Sequence, residues 1–229
     1  MEHIETYAQK QAELCKKYGS IDSELYRIHG VKRGLRDVNG QGVVTGLTDI
    51  SKITAFQTIN GEKVPCEGEL LYRGYDVKDL IAGMSGRKNK YEEAAYLLLF
   101  GELPSKQQLT EFKDIIVENM TLPTNFTRDV IMKAPDSDIM SSMTKSILTL
   151  ASYDTKKNDL SIENVLRQSI QLISTFPMLA VYGYHAYNHY KNNESMFIHR
   201  PDSELSIAEN FLRMLRPDKQ FTDLEAQVL

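Results

Sequence analysis

Gly68-Glu-Leu-Leu-Tyr-Arg-Gly-Tyr-Asp-Val-Lys-Asp-Leu80 is the stretch where the texture of this chain changes. Upstream, from Gly30 to Tyr75, glycines are dense and β-branched residues alternate with polar ones. Asn39-Gly40 and Asn60-Gly61 are hairpin-turn dipeptides, because both central residues of a type I′ turn need positive φ. This texture predicts small strands and turns, a β-hairpin region near residues 40–75 and not a full sheet domain. Downstream of Asp76 the apolar residues recur at helical spacing almost to the end, so the fold class is mainly α.

The helical part divides at its own punctuation. Tyr91, Ala94, Ala95, Leu98 and Leu99 line one face of a helix that Gly101 stops. Pro104 opens the next, with Leu109, Phe112, Ile115 and Ile116 as its stripe. Pro123 and Pro135 bracket another helix, and Ile139, Met140, Met143, Ile147, Leu150 and Ala151 form a stripe after it. Ser161 caps the longest helix, which carries Ile162, Leu166, Ile170 and Ile173 on one face and a kink at Pro177. Two helices follow, near Ser206–Leu215 and from Thr222, where Thr222-x-x-Glu225 is a capping box. Upstream of the β region, residues 3–18 read as a polar helix, and Ser20 as the cap of a short one through Ile28. About seven residues follow the last cap, below the length at which a helix holds itself together. The expectation is a chain cut where a helix has just begun.

Composition excludes several classes. The 229 residues carry 27 Lys+Arg against 31 Asp+Glu, a net charge of −4, without the clustered basic face of a nucleic-acid binder. Cys15 and Cys66 are too few for a disulfide framework and wrongly spaced for zinc. No signal core opens the chain, and apolar runs such as Ala94–Phe100 are too short to span a bilayer. The expectation is a soluble, cytoplasmic protein with no nucleic-acid or membrane partner.

Local motifs assign no chemistry. Among His3, His29, His185, His189 and His199, the pair His185/His189 has the i, i+4 spacing that can place two imidazoles on one metal. Ala186 stands where a metalloprotease helix carries glutamate, and four tyrosines crowd the segment, so it reads as an amphipathic helix end. Gly40-Gln-Gly-Val-Val-Thr-Gly46 has neither the dinucleotide spacing nor a following Gly-Lys-Ser/Thr, and reads as turns. No nucleophile elbow and no Cys-x-x-Cys occurs. Catalytic, cofactor-binding and metal residues are each assigned as none.

Three ordered stretches carry a resemblance. Gly68–Leu80 resembles the "GxLxYRGYDIxDL" signature of citrate synthases, Tyr91–Pro104 resembles their "FEEVAYLLLFGELP", and Leu205–Leu215 their "LSYAxNFLxML". Val31–Asp37, Gly46–Ile50 and Phe197–Pro201 are similar to members from anaerobic Gram-positive bacteria. Asp138-Ile-Met140 departs from the usual "HPM", and the arginine-rich segment tied to NADH control has no clear match.

The resemblance implies residues 1–229 of a large helical domain, its N-terminal portion, with the remainder and the small domain absent. It implies condensation of acetyl-CoA with oxaloacetate and water to citrate and CoA, in the tricarboxylic acid cycle, with acetyl-CoA as substrate and no further cofactor. A carboxylate and a histidine form the enol; a second histidine and arginines hold oxaloacetate. The family's "HAEH", "GPxHGGAN" and "GHxxY" motifs and its late aspartate have no counterpart here, so an inactive N-terminal fragment is expected. A 2-methylcitrate synthase fragment, using propionyl-CoA, and a non-catalytic helical dimerisation module are the alternatives. The resemblance also implies a homodimer through helices near 138–152 and 161–185. In the first, Met140, Met143, Ile147 and Leu150 are apolar beside small Ser142, Ser146 and Ala151; the second adds Leu172, Ile173, Phe176, Leu179 and Val181. A buried helix in a monomer shows the same pattern.

Overall fold

The computed structural model describes residues 21–32, 34–36, 40–43 and 48–229. The chain divides into two units, Met1–Thr48 and Asp49–Leu229. The polar helix expected over 3–18 and the Ser20 cap lie outside the described residues. In the first unit, α1 (Ser23–Ile28) is capped by Asp22, whose carboxylate accepts the Glu24 N–H at 2.9 Å. A short antiparallel bridge joins Arg36 and Gly42.

The second unit opens with β1 (Ser51–Ile59), β2 (Glu62–Tyr72) and β3 (Tyr75–Asp76), an antiparallel sheet in that order. The β1–β2 turn is the expected Asn60-Gly61, with φ of 52° and 85°. A second two-residue turn, Arg73-Gly74 with φ of 49° and 88°, folds β3 onto β2 and pairs Tyr72 with Tyr75. No hairpin dipeptide announces it, and its cause is tertiary. Among the described residues the ladder runs from Ser51 to Asp76, inside the β region expected near residues 40–75, and its first two strands are longer than the small ones expected.

Then come α2 (Val77–Gly83), α3 (Lys90–Phe100), α4 (Lys106–Glu118), a π-helical turn (Thr127–Ile131), α5 (Ile139–Leu150), α6 (Ile162–Asn192), α7 (Ile207–Leu215) and α8 (Asp223–Val228). The fold is mainly helical. Gly101 ends α3 at φ 85°, its N–H reaching the Leu97 carbonyl at 2.8 Å. Ser105 caps α4 in a capping box with Gln108, so Pro104 stands just ahead of the helix start. Between Pro123 and Pro135 a five-residue π-turn stands where a helix was expected. Ser161 occupies the cap position of α6 without a side-chain cap bond, and α6 continues through Pro177 for 31 residues. The expected Thr222/Glu225 capping box opens α8, and Ser206/Glu209 forms the same device at α7.

Three apolar clusters hold this unit together. The largest joins the π-turn, α6 and α7 through Phe126, Ile131, Leu179, Val181, Tyr182 and Met214. A second seats Leu97 of α3 on Leu80 and Met84. A third packs Phe112 and Ile116 of α4 against Ile207. On α3 the buried centre is Leu97, while the expected Tyr91 is half exposed. Glu92 and Glu93 sit on the buried side as well.

Candidate functional site

The signature stretch works as a clamp. Arg73 sits in the left-handed region, unfavourable for a side chain with a Cβ by about 1–2 kcal/mol. Its backbone N–H donates to the Ile50 carbonyl at 2.9 Å. Its guanidinium donates from Nε and Nη2 to the Leu98 carbonyl at 3.3 and 2.9 Å, and from Nη1 to Asp49 at 2.9 Å. Leu98 lies in the last turn of α3, where carbonyls lack helical partners and a cation is favoured. Three residues on from Arg73, Asp76 caps α2 by accepting the Lys78 N–H at 2.7 Å. The motif thus ties the sheet to α3 and launches α2. The third motif is structural too: the side chain of fully buried Asn210 bonds the backbone of Asp202 and Leu205, holding the loop before α7.

Beside this clamp, α2, α3, α7 and α8 surround a cleft of about 640 Å³. Leu80, Met84 and Ala94 make its apolar floor, and Glu92, Glu209 and Lys88 its polar wall. Glu92 is 1% exposed; its Oε1 accepts the Ile207 N–H at 2.8 Å, and Oε2 has no protein partner. Burial is the main cause that pushes the Glu92 carboxyl above the ordinary range, against the Ile207 N–H that favours its ion. Glu209 accepts the Ser206 N–H at 2.8 Å and lies 3.5 Å from Lys88 Nζ. No histidine lines the cleft. These buried acids were not legible beforehand, because a glutamate at a helix start reads as a favourable first-turn charge.

The histidines are placed apart from this cleft. His185 Nε2 is 3.1 Å from the Met214 carbonyl, His189 Nδ1 2.8 Å from that of Glu194, and His199 Nε2 3.0 Å from that of Pro217. A ring nitrogen facing a carbonyl must carry the proton. All three therefore serve as main-chain braces, and His185 and His189 reach different carbonyls despite their i, i+4 spacing. His29 is the exposed C-cap of α1, and His3 lies outside the described residues. Among the described residues no group of three His, Cys, Asp or Glu side chains could hold a metal ion.

The α5–α6 pair is close-packed within the chain. Ser142 and Ser146 are buried, and a Cβ added at Gly183 of α6 would lie 3.5 Å from Ser142 Cβ. Met143, Ile147 and Leu150 lean on the largest cluster, and Leu179 and Val181 are fully inside it. Met140, Leu148, Leu172 and Phe176 remain exposed on these helices. No helix among the described residues is long and apolar enough to cross a membrane.

The family model described as "Citrate synthase, C-terminal domain" matches residues 35–229. The citrate synthase of Corynebacterium glutamicum is 33% identical over 174 residues, covering 76% of this chain and 36% of its own length. A protein of the same organism named 2-methylcitrate synthase 2 is 27% identical over 185 residues, 81% of this chain and 42% of its own. The crystal structure of citrate synthase from Pyrobaculum aerophilum superposes with a TM-score of 0.65 at 21% identity, covering 83% of this chain and 44% of that one. The chain thus spans less than half the length of these relatives. With most of its length matched by the family model, the chain belongs to the citrate synthase family.

Proposed function

We propose that residues 1–229 form the N-terminal portion of the large domain of a citrate synthase. Its whole protein condenses acetyl-CoA with oxaloacetate and water to citrate and CoA, a transferase step of the tricarboxylic acid cycle in the cytoplasm. The family match over residues 35–229 carries this reading. On this reading the 229 residues alone are scaffold. The motif histidines of the family are missing, and His185, His189 and His199 each face a main-chain carbonyl. No catalytic, cofactor-binding or metal role is assigned to any residue. General acid–base groups alone contribute about 10²–10⁴-fold to rate, so losing them removes activity rather than tuning it. The match to a protein named 2-methylcitrate synthase 2 supports a second reading, in which the thioester is propionyl-CoA. Comparing the two thioesters on the chain completed to the length of its relatives decides between them. Preference for acetyl-CoA supports the first reading, preference for propionyl-CoA the second, and turnover of neither contradicts both.

The partner on this reading is a second copy, through α5 and α6, with self-complementary contacts about a two-fold axis. Met143 and Ile147 pack partly buried against the core of their own chain, while Met140 and Leu148 on α5 and Leu172 and Phe176 on α6 are exposed apolar residues that this contact would use. Light scattering at tens of micromolar should give a dimer that Met140→Lys with Phe176→Lys converts to a folded monomer. A wild-type monomer, or a dimer unmoved by both lysines, would rule this interface out.

A further inference from the structure

Glu92 is a titratable group with no part in the reading above, and its setting is unusual. It lies at the start of α3, 1% exposed, with one hydrogen bond across to the first N–H of α7 and its own main-chain N–H as a second donor that favours the ion. We propose that Glu92 is a proton-operated latch, joining α3 to the N-terminus of α7 as a neutral acid and loosening that joint when it ionises. The geometry carries this. An ionised carboxylate has about four lone-pair sites to satisfy; main-chain N–H groups favour one side of it and Oε2 has no protein partner, so ionisation leaves a buried charge incompletely satisfied. Burial of an uncompensated charge is strongly unfavourable.

The charged groups facing Glu92 do not supply the missing compensation. On α7, Glu209 is a like charge that raises the carboxyl further, and its own oxygens are engaged by the Ser206 N–H and by Lys88. On α4, Lys113 favours the ion, but its Nζ donates to the Glu204 carbonyl at 3.1 Å. On α3, Tyr91 is itself pushed up by burial and by Glu92, and Glu93 is taken by Arg87 Nη1 at 2.7 Å. Arg87, Lys88 and Lys90 line the same cleft as Glu92, and Asp223 of α8 adds another negative charge there.

The sign follows from linkage. A carboxyl raised in the folded state binds its proton more tightly there than in the unfolded chain. Its penalty is absent below the ordinary carboxylate range and grows as pH rises from that range to the raised folded value. Glu92→Gln keeps the shape and removes the titration. Thermal melts of wild type and Glu92→Gln should therefore converge at acidic pH and diverge as pH rises. The variant becomes the more stable by about 3–5 °C for each tenfold difference in proton affinity between the folded and unfolded chain. Parallel melting curves at every pH would overturn the proposal. Should the variant not fold, wild type alone decides: with glutamate δ-carbons labelled, one resonance titrates above the others. The Ile207 amide then loses exchange protection over that same interval, beyond the intrinsic pH effect and before the core amides. All glutamates titrating in the ordinary range, or an Ile207 amide that stays as protected as the core, would contradict it.

Discussion

The β1–β2 hairpin and the α3–α7 helical body are built on opposite terms. In the hairpin, Ile53, Phe56, Ile59 and Val64 all face solvent, with Ile53 77% exposed. Its order comes from the backbone ladder and from two positive-φ residues at Asn60-Gly61. A two-stranded hairpin alone is marginal in water, so its base is pinned by Arg73. In the helical body Leu97, Ile116 and Ala186 are wholly buried, and polar side chains sealed among the helices, such as Ser174 and Asn210, find partners. Local geometry specifies the first region and burial the second, so they should respond differently to the same size of change.

The largest effect is expected in the body. Leu97→Ala or Ile116→Ala leaves a cavity in a fully buried site and should cost about 2–5 kcal/mol, read as a lower midpoint in urea. A cost below half a kcal/mol at both sites would mean the body is not close-packed. Next is the junction of the two regions. Arg73→Met removes three side-chain hydrogen bonds and strands the Leu98 carbonyl, and should cost about 1–3 kcal/mol. Hairpin amides should lose exchange protection further than those of α6; uniform loss would dissolve the distinction. Smaller again, Gly61→Ala forces a Cβ into a left-handed turn residue at about 1–2 kcal/mol, confined to the hairpin. Ile53→Thr, on the exposed strand face, should stay within about 0.5 kcal/mol. A larger loss would show that this face is covered in solution.

Legibility in the sequence follows the same division. Helix starts and stops with local chemistry were readable: Gly101 at positive φ and the Thr222/Glu225 box stand where the residue types place them. The Asn60-Gly61 turn was readable for the same reason. The Arg73-Gly74 turn was not, because arginine adopts positive φ only through bonds to Leu98 and Asp49, distant in sequence. The π-turn at Thr127–Ile131 escaped as well, since its apolar spacing resembles an ordinary helix bounded by prolines. Small residues on α5 looked equally suited to a partner chain or to α6; Gly183 facing Ser142 shows the intramolecular use. The family was legible through three motifs, and Arg73 and Asn210 give two of those motifs tertiary reasons to exist.

We propose that these 229 residues carry the scaffold of a citrate synthase and none of its catalytic groups. The most direct test is release of free CoA from acetyl-CoA, with and without oxaloacetate, by the purified 229-residue chain in a host lacking its own citrate synthase. The account predicts a folded, helical protein whose CoA release is the same in both conditions and equal to the blank. Oxaloacetate-dependent release that co-purifies with the chain would contradict it.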